Sequence, residues 1–324
     1  MKLVLIELTR LRSRRAIVVL VAGALVIAAI LLGNQLWSNR PVPPSELANA
    51  QAQADREAKQ PYVAREIRRC ERNPQNYLGP SNGSDASGCE EAVKPQADWF
   101  LNRQQLDPVN LAQDLPLGIA LLTAVIAVLI GSTMIGAEWS AGSVGTQLLF
   151  ESRRNRVWTA KAGAVAAATA VMALLVFTLI WTGILLAYQS WSSTPLPDGF
   201  NRDLSEAGLR VVAFTALAGL AGYAITMAVR HTVVVLGLML AYSVIGEAFL
   251  RNFWPRVEPW LVSNNTFAWV QDGYRITRYP DECFGECRPT VDKISMLDSA
   301  LYFGVLTAVL VGLSLLVFHR RDVP

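Results

Sequence analysis

The side chains of this 324-residue chain best suited to metal, redox or nucleophilic chemistry are two histidines and four cysteines. The histidines, His231 and His319, stand far apart and form neither an HExxH motif nor a multi-histidine site. No GxxxxGK[ST] stretch is present to hold the phosphates of a nucleotide. The sequence therefore predicts no catalytic residue, no metal site and no ATPase or hydrolase activity in the chain itself.

Long charge-free stretches dominate the sequence, and only 17% of its residues are charged. A bilayer core of about 30 Å is crossed by roughly 20 helical residues, and a helix satisfies its own backbone amides there. The sequence predicts an all-α integral membrane protein whose six transmembrane helices are residues 16–37, 115–136, 157–188, 209–229, 233–250 and 299–318. We interpret the first as a retained span, since its apolar run exceeds that of a signal peptide.

The basic residues divide the connecting segments into two sets. The N-terminus, the segment after the second span, the Arg230 turn and the tail together carry a net charge of +8, and the remaining segments carry −5. Basic flanks favour the cytoplasm, so both termini are predicted to be cytoplasmic. This orientation makes residues 1–15, 137–156 and 319–324 cytoplasmic, and residues 38–114, 189–208 and 251–298 external.

All four cysteines fall in segments of the predicted external face. An even number on the oxidising side of a membrane indicates disulfide bonds. Three pairings are open. The most local one, Cys70 with Cys89 and Cys283 with Cys287, is the one we prefer, and four unpaired thiols are the alternative.

The two larger external segments differ in composition. Within residues 38–114, a polar stretch at 45–71 predicts a helix, and the segment as a whole predicts a small external subdomain. Residues 251–298 are rich in aromatic side chains, which favour either a segment lying along the outer leaflet or the core of a small external layer. Glu247 alone is ionisable near a span interior, a pattern unlike that of a proton-coupled carrier.

Two cytoplasmic segments have helical patterns of their own. In residues 1–15, Val4, Leu8 and Leu11 share one stripe of a basic amphipathic helix, which predicts an interfacial helix on the lipid bilayer. In residues 137–156, Gly142 and Gly145 favour a tight reversal into a short helix. Val144 and Leu148 then form an apolar ridge on that helix, suited to docking on a soluble partner or to resting on the membrane surface.

Two motifs resemble those of ABC-2 type permeases, the membrane subunits of many bacterial ABC exporters. The first is the stretch from Glu7 to Arg14 before the first span. The second comprises Gly136, Glu138 and Trp139, then Gly145-Thr146, Leu148-Leu149, Arg153-Arg154 and Lys161. Six spans and a large first external loop are similar to that family as well.

The resemblance implies a half-transporter without ATP-binding residues of its own. Two permeases, identical or different, would pair in the bacterial cell membrane and dock on separate ABC ATPase subunits that bind ATP; no cofactor and no nucleic acid is expected. Residues 137–156 would supply a coupling helix, whose docking surface would consist of Glu138, Val144, Thr146, Leu148, Arg153 and Arg154. The resemblance further implies export of a hydrophobic or amphipathic compound, such as a drug, lipid or peptide-like molecule.

Two other functions fit the same spans. One is a membrane-anchored envelope interaction or sensor protein that binds its partner through residues 38–114. The other is a channel or carrier without an ATPase.

Overall fold

The computed structural model describes residues 2–74, 77–78, 86–101, 106–192, 194–278 and 290–320. The chain divides into two compact units. The first consists of residues 1–32, 108–186 and 193–324, and the second of residues 33–107 and 187–192.

Helices make up nearly all of the described structure. In chain order they are α1 (Lys2–Ser13), α2 (Arg15–Ser38), α3 (Pro44–Ala58), α4 (Pro61–Arg72), α5 (Cys89–Val93), α6 (Pro108–Ser140), α7 (Ser143–Phe150), α8 (Arg154–Trp191), α9 (Phe200–Val229), α10 (Thr232–Phe253), α11 (Val262–Val270) and α12 (Met296–Arg320). Short 3-10 turns occur at Ala86–Gly88, Ala97–Phe100 and Pro255–Trp260, and Tyr242–Phe249 within α10 is a π-helix. Strands β1 (Tyr274–Arg278) and β2 (Thr290–Ile294) form an antiparallel hairpin.

Six helices of the described chain are long and apolar enough to cross a membrane: α2, α6, α8, α9, α10 and α12. Each contains one of the six predicted spans, so the predicted all-α membrane fold is confirmed. Several helices run past their apolar runs; α8, with 38 residues, is the longest. The first turn of α8, which starts at Arg154, is polar and precedes the apolar run.

Helices α6 and α9 pack closely because glycines line their contact. A Cβ atom on Gly222 would lie 2.7 Å from the carbonyl oxygen of Val128, so no larger residue fits without a shift of the backbone. The two helices are also joined by a hydrogen bond of 2.7 Å between the hydroxyls of Thr123 and Thr215. The small residues at this contact therefore allow the two helices to approach closely.

A chain of hydrogen bonds connects α9 to two further spans. The hydroxyl of Tyr223 on α9 donates to the carbonyl oxygen of Trp158 on α8, at 3.1 Å. The indole Nε1 of Trp158 in turn donates to Ser314 Oγ on α12, at 3.2 Å. Tyr223 and Trp158 are both buried, so these bonds satisfy polar groups that would otherwise cost free energy inside the bundle.

The second unit is built on helices α3, α4 and α5. The predicted helix over residues 45–71 is split into α3 and α4, because Pro61 provides no amide hydrogen to continue a helix and starts a new one instead. A disulfide bond joins Cys70 on α4 to Cys89 at the start of α5. This is the preferred pairing of these two cysteines, and Cys283 and Cys287 lie outside the described residues.

The aromatic-rich segment after α10 folds into α11 and the hairpin. The backbone amide and hydroxyl of Ser263 at the start of α11 donate to the carboxylate of Glu247 on α10, at 3.0 and 2.6 Å. Phe267 stacks on Tyr274 within the protein, whereas the rings of Trp254 and Trp260 are mostly exposed. Aromatic side chains of this segment therefore supply both a packed layer and an exposed surface.

Candidate functional site

The segment between α6 and α8 reverses direction at one glycine. Gly142 has a φ of 65°, a left-handed conformation in which a side chain would be strained, and it ends α6 and precedes α7. The hydroxyl of Ser143 accordingly donates back to the carbonyl oxygen of Glu138, at 3.2 Å. The predicted reversal is present, but Gly142 alone makes it, since Gly145 lies within α7.

The inner face of α7 is formed by Val144, Gln147 and Leu148, which the helical repeat places together. Val144 is fully buried and Leu148 is partly buried. The prediction that Val144 and Leu148 form an exposed apolar ridge is therefore wrong for Val144, because α7 turns this face toward the chain's own helices.

The outer face of α7 exposes a different apolar pair. Leu149 is 85% exposed and Phe150 is 90% exposed, and they end the helix side by side. Thr146 and Arg153, both among the predicted docking residues, are exposed next to them. An exposed leucine and phenylalanine beside polar and charged residues are typical of a surface that binds a partner.

Arg154 is directed to a neighbouring helix end. Its NH1 donates to the carbonyl oxygens of Phe318 and His319, at 2.8 and 3.0 Å. These are the last carbonyls of α12, where a cation is favourable because it satisfies free acceptors and opposes the helix dipole. Arg154 is partly buried in this position, so its structural partner lies within the chain.

A buried ion cluster lies beneath α7. The ammonium nitrogen of Lys161 on α8 lies 3.0 Å from Oε2 of Glu7 on α1 and 2.7 Å from Oε2 of Glu138 on α6. The second contact is ionic rather than a directed hydrogen bond, since no described donor meets Glu138 Oε2 at a favourable angle. All three side chains are at most 3% exposed. Glu138 is thus enclosed by the chain, and its predicted place on an exposed docking surface is wrong.

Arg14 and Gln147 complete the ion cluster. Arg14 NH2 forms a 2.7 Å ion pair with Oε1 of Glu138, and its NH1 donates to the carbonyl oxygen of Met134 at 2.6 Å. Gln147 on α7 donates to Oε1 of Glu7, at 2.9 Å. Two carboxylates are therefore matched by Lys161 and Arg14. A buried charge is costly unless it is paired and hydrogen-bonded. Each charge here is paired and makes at least one hydrogen bond, while Glu138 Oε2 is met by the ionic contact with Lys161 alone.

The ion cluster joins four elements at one point, namely α1, α6, α7 and α8. Buried ion pairs add little net stability, but they define position, because moving one partner leaves another charge unpaired. A displacement of α7 would therefore be resisted through Gln147 and Glu7 and passed to the ends of α6 and α8.

The sequence motifs contained these residues without showing that they meet. Glu7, Glu138 and Lys161 belong to the two motifs quoted above, yet nothing in their spacing predicts a shared site, because the residues are distant in sequence. A lysine and a glutamate at the ends of two apolar stretches were the available signal. No group of three metal-ligating side chains occurs in the described part of the chain.

Comparison with known proteins gives one match. The family model described as ABC-2 family transporter protein covers residues 5–323. The chain has no significant match among curated protein sequences or among solved structures. The matched range includes the motif residues Glu7, Glu138 and Lys161, all of which lie in the ion cluster. With nearly its whole length matched, the chain belongs to the ABC-2 transporter family.

Proposed function

We propose that the chain is the permease subunit of an ABC exporter in a bacterial cell membrane, driven by a separate ATPase subunit. The observation that carries the proposal is the position of Leu149 and Phe150, exposed on a short helix whose inner face is joined to the ion cluster. Membership of the ABC-2 family supports a transport role. ATP hydrolysis is assigned to the partner.

The docking surface in this proposal is the outer face of α7, formed by Thr146, Leu149 and Phe150, together with Arg153 just after the helix. Leu149 and Phe150 would enter an apolar cleft on the ATPase, because burying such side chains is the main favourable term in most protein interfaces. Thr146 and Arg153 would lie at the rim, where charges mainly guide association. The charge split of +8 against −5 supports placing this face, together with both termini, in the cytoplasm.

Coupling would proceed through the ion cluster. ATP binding shifts a transporter between two conformations only by its differential affinity for them, so the docked helix must move with the ATPase. A movement of α7 would reach α1 through Gln147 and Glu7, and α6 and α8 through Glu138 and Lys161. Two permeases, either identical copies or paralogues, would form one pathway for a hydrophobic or amphipathic compound.

The experiment is co-expression of the tagged chain with an ABC ATPase encoded beside it, followed by purification in a mild detergent. We expect the ATPase to co-purify and the complex to hydrolyse ATP. Reconstituted vesicles should then accumulate a hydrophobic fluorescent compound in an ATP-dependent manner. If the chain purifies folded and without an ATPase, the proposal is wrong, and an envelope interaction protein using residues 38–114 becomes the better account.

A further inference from the structure

A groove opens beside the first half of α12, within the first unit. It has a volume of about 710 Å³ and is lined mainly by apolar side chains. Leu301, Val305 and Val309 of α12 follow one another at intervals of four residues and form its long wall, and each is more than half exposed. Trp260 forms part of the wall near the start of α11. The wall of the groove along this membrane-spanning helix is therefore apolar.

The length of the groove matches one leaflet of a bilayer. From Asp298 to Val309 the helix rises about 16 Å, at 1.5 Å per residue. Half of the hydrocarbon core measures about 15 Å. One end of the groove is polar and lies where α12 begins, so a molecule with a polar head and an apolar chain fits its direction.

Lys293 at the polar end of the groove has a second cation, Arg275, beside it on the hairpin. Lys293, which lines the groove, stands directly opposite Arg275 in the antiparallel register, and the two exposed side chains project from the same face. Neither forms an ion pair with a described residue. Like charges placed directly opposite are unfavourable unless an anion lies between them. A phosphate group would supply that anion and accept hydrogen bonds from both.

The same end also carries acceptors. Asn265 lines the groove and is only 3% exposed; its Nδ2 donates to the carbonyl oxygens of Pro259 and Leu261, each at 2.9 Å. Its Oδ1 accepts no hydrogen bond from the described residues. The carboxylate of Asp298 lies in the same lining and accepts two hydrogen bonds from Ser295 through one oxygen only. Both groups suit a ligand that donates hydrogen bonds.

We propose that this groove binds one phospholipid of the surrounding leaflet whose headgroup carries both a phosphate and a primary ammonium group. The acyl chain lies along Leu301, Val305 and Val309, and the phosphate lies at Lys293 and Arg275. The ammonium group donates to Asp298 and to Oδ1 of Asn265. The site requires only that α12 crosses the bilayer, so it does not depend on ATPase docking.

The test is photo-crosslinking in phosphatidylcholine nanodiscs, with a trace of lipid carrying a diazirine in its acyl chain. Three probes are compared, with ethanolamine, glycerol or choline headgroups, and the crosslinked residues are mapped by mass spectrometry. We expect the ethanolamine probe to label α12 between Leu301 and Val309 most strongly. K293Q should reduce this labelling about fivefold, as for the loss of one exposed charge contact, and K59Q in the second unit should not.

A groove-filling variant tests the apolar wall separately. V305W should abolish the labelling of this stretch, whereas V26W, at an exposed position of α2, should leave it unchanged. Equal labelling by all three probes that is insensitive to K293Q would mean ordinary annular lipid and would overturn the proposal. Equal loss of labelling in V305W and V26W would overturn it as well. Since no ATPase is present, either result is independent of the proposed transport function.

Discussion

Lys161 and Glu138, on two consecutive membrane-spanning helices, form an ion pair of 2.7 Å in which both side chains are almost completely buried. Glu7 approaches the same ammonium group from α1 at 3.0 Å. Removing this lysine would leave two buried carboxylates facing each other, opposed only by Arg14 at Glu138 and Arg10 at Glu7. The ion cluster therefore provides a direct test of how the segment around α7 is held.

The substitution Lys161→Met should destabilise the fold by about 3–5 kcal/mol, because Glu7 and Glu138 would be left buried without their common partner. Lys94→Met is the matched control, since the Lys94–Glu90 pair is exposed and contributes about 0–1 kcal/mol. The unfolding temperature of each variant is measured by heating the protein in detergent and quantifying the remaining folded protein by size-exclusion chromatography. The double variant with Glu7→Gln should lose less than the sum of the single variants. Equal unfolding temperatures for both lysine variants would contradict the burial of the cluster.

The contact between α6 and α9 is tested by Gly222→Ala. A methyl group there meets the backbone of Val128, so the helices must separate, at a cost of about 1–3 kcal/mol. Gly237→Ala on α10 is the control, because its new methyl group would meet no atom within 4 Å. The unfolding temperature of the Gly222 variant should fall, while that of the Gly237 variant should stay constant or rise. The opposite order would show that α6 and α9 do not touch at Gly222.

The disulfide bond between Cys70 and Cys89 should be present in protein taken from the membrane. Non-reducing mass spectrometry under alkylating conditions should find these two cysteines joined, and we predict the same for Cys283 with Cys287. Since the sequence separation is 19 residues, replacing Cys70 and Cys89 by serine should destabilise the second unit by about 3 kcal/mol. Faster limited proteolysis between α3 and α5 would report this change. Quantitative alkylation of all four cysteines in the native protein would reject the pairing.

The orientation can be measured with single introduced cysteines. Thr146→Cys on α7 and Asp198→Cys before α9 are both at exposed positions. The first position precedes α8 in the chain and the second follows it. In intact cells, an impermeant thiol reagent should label Asp198→Cys alone, and Thr146→Cys should react only after the cells are opened. Labelling of the Thr146 variant from outside would reverse the predicted orientation.

The spans were predictable because six apolar runs specify six helices whatever their neighbours are. It was harder to predict from the sequence whether an apolar helix face is buried or exposed. The pattern of α7 correctly places Val144 with Leu148, but an apolar face meets either a partner or the chain itself, and only the tertiary arrangement distinguishes the two. Because α7 turns Val144 toward the chain's own helices, Leu149 and Phe150 on the other side of α7 are exposed.

Ion pairs between residues distant in the sequence could not be predicted, for a similar reason. Glu7, Glu138 and Lys161 each resemble an ordinary charged flank of a span, and nothing in their spacing brings them together. The hairpin of β1 and β2 was not predicted either, because the aromatic-rich segment has no strong alternation. By contrast, the pairing of Cys70 with Cys89 was predictable, since the short separation favours it.

Docking of the outer face of α7 on an ATPase can be measured directly. The most direct measurement is the affinity of the purified chain for its ATPase, compared between the parent and the variant Leu149→Asp with Phe150→Asp. Burying two unpaired charges at the contact should weaken binding at least about 100-fold and remove coupled ATP hydrolysis. Arg153→Glu should weaken it about tenfold or less, mainly at low salt, as expected at a rim.

The matched control for that measurement is Leu47→Asp with Trp99→Asp, an aliphatic and an aromatic residue exposed in the second unit. This variant should bind the ATPase with the affinity of the parent, and size-exclusion profiles should show that both double variants are folded. We expect a large loss of affinity confined to the Leu149 and Phe150 variant. Unchanged affinity and ATP hydrolysis in that variant would contradict docking through the outer face of α7.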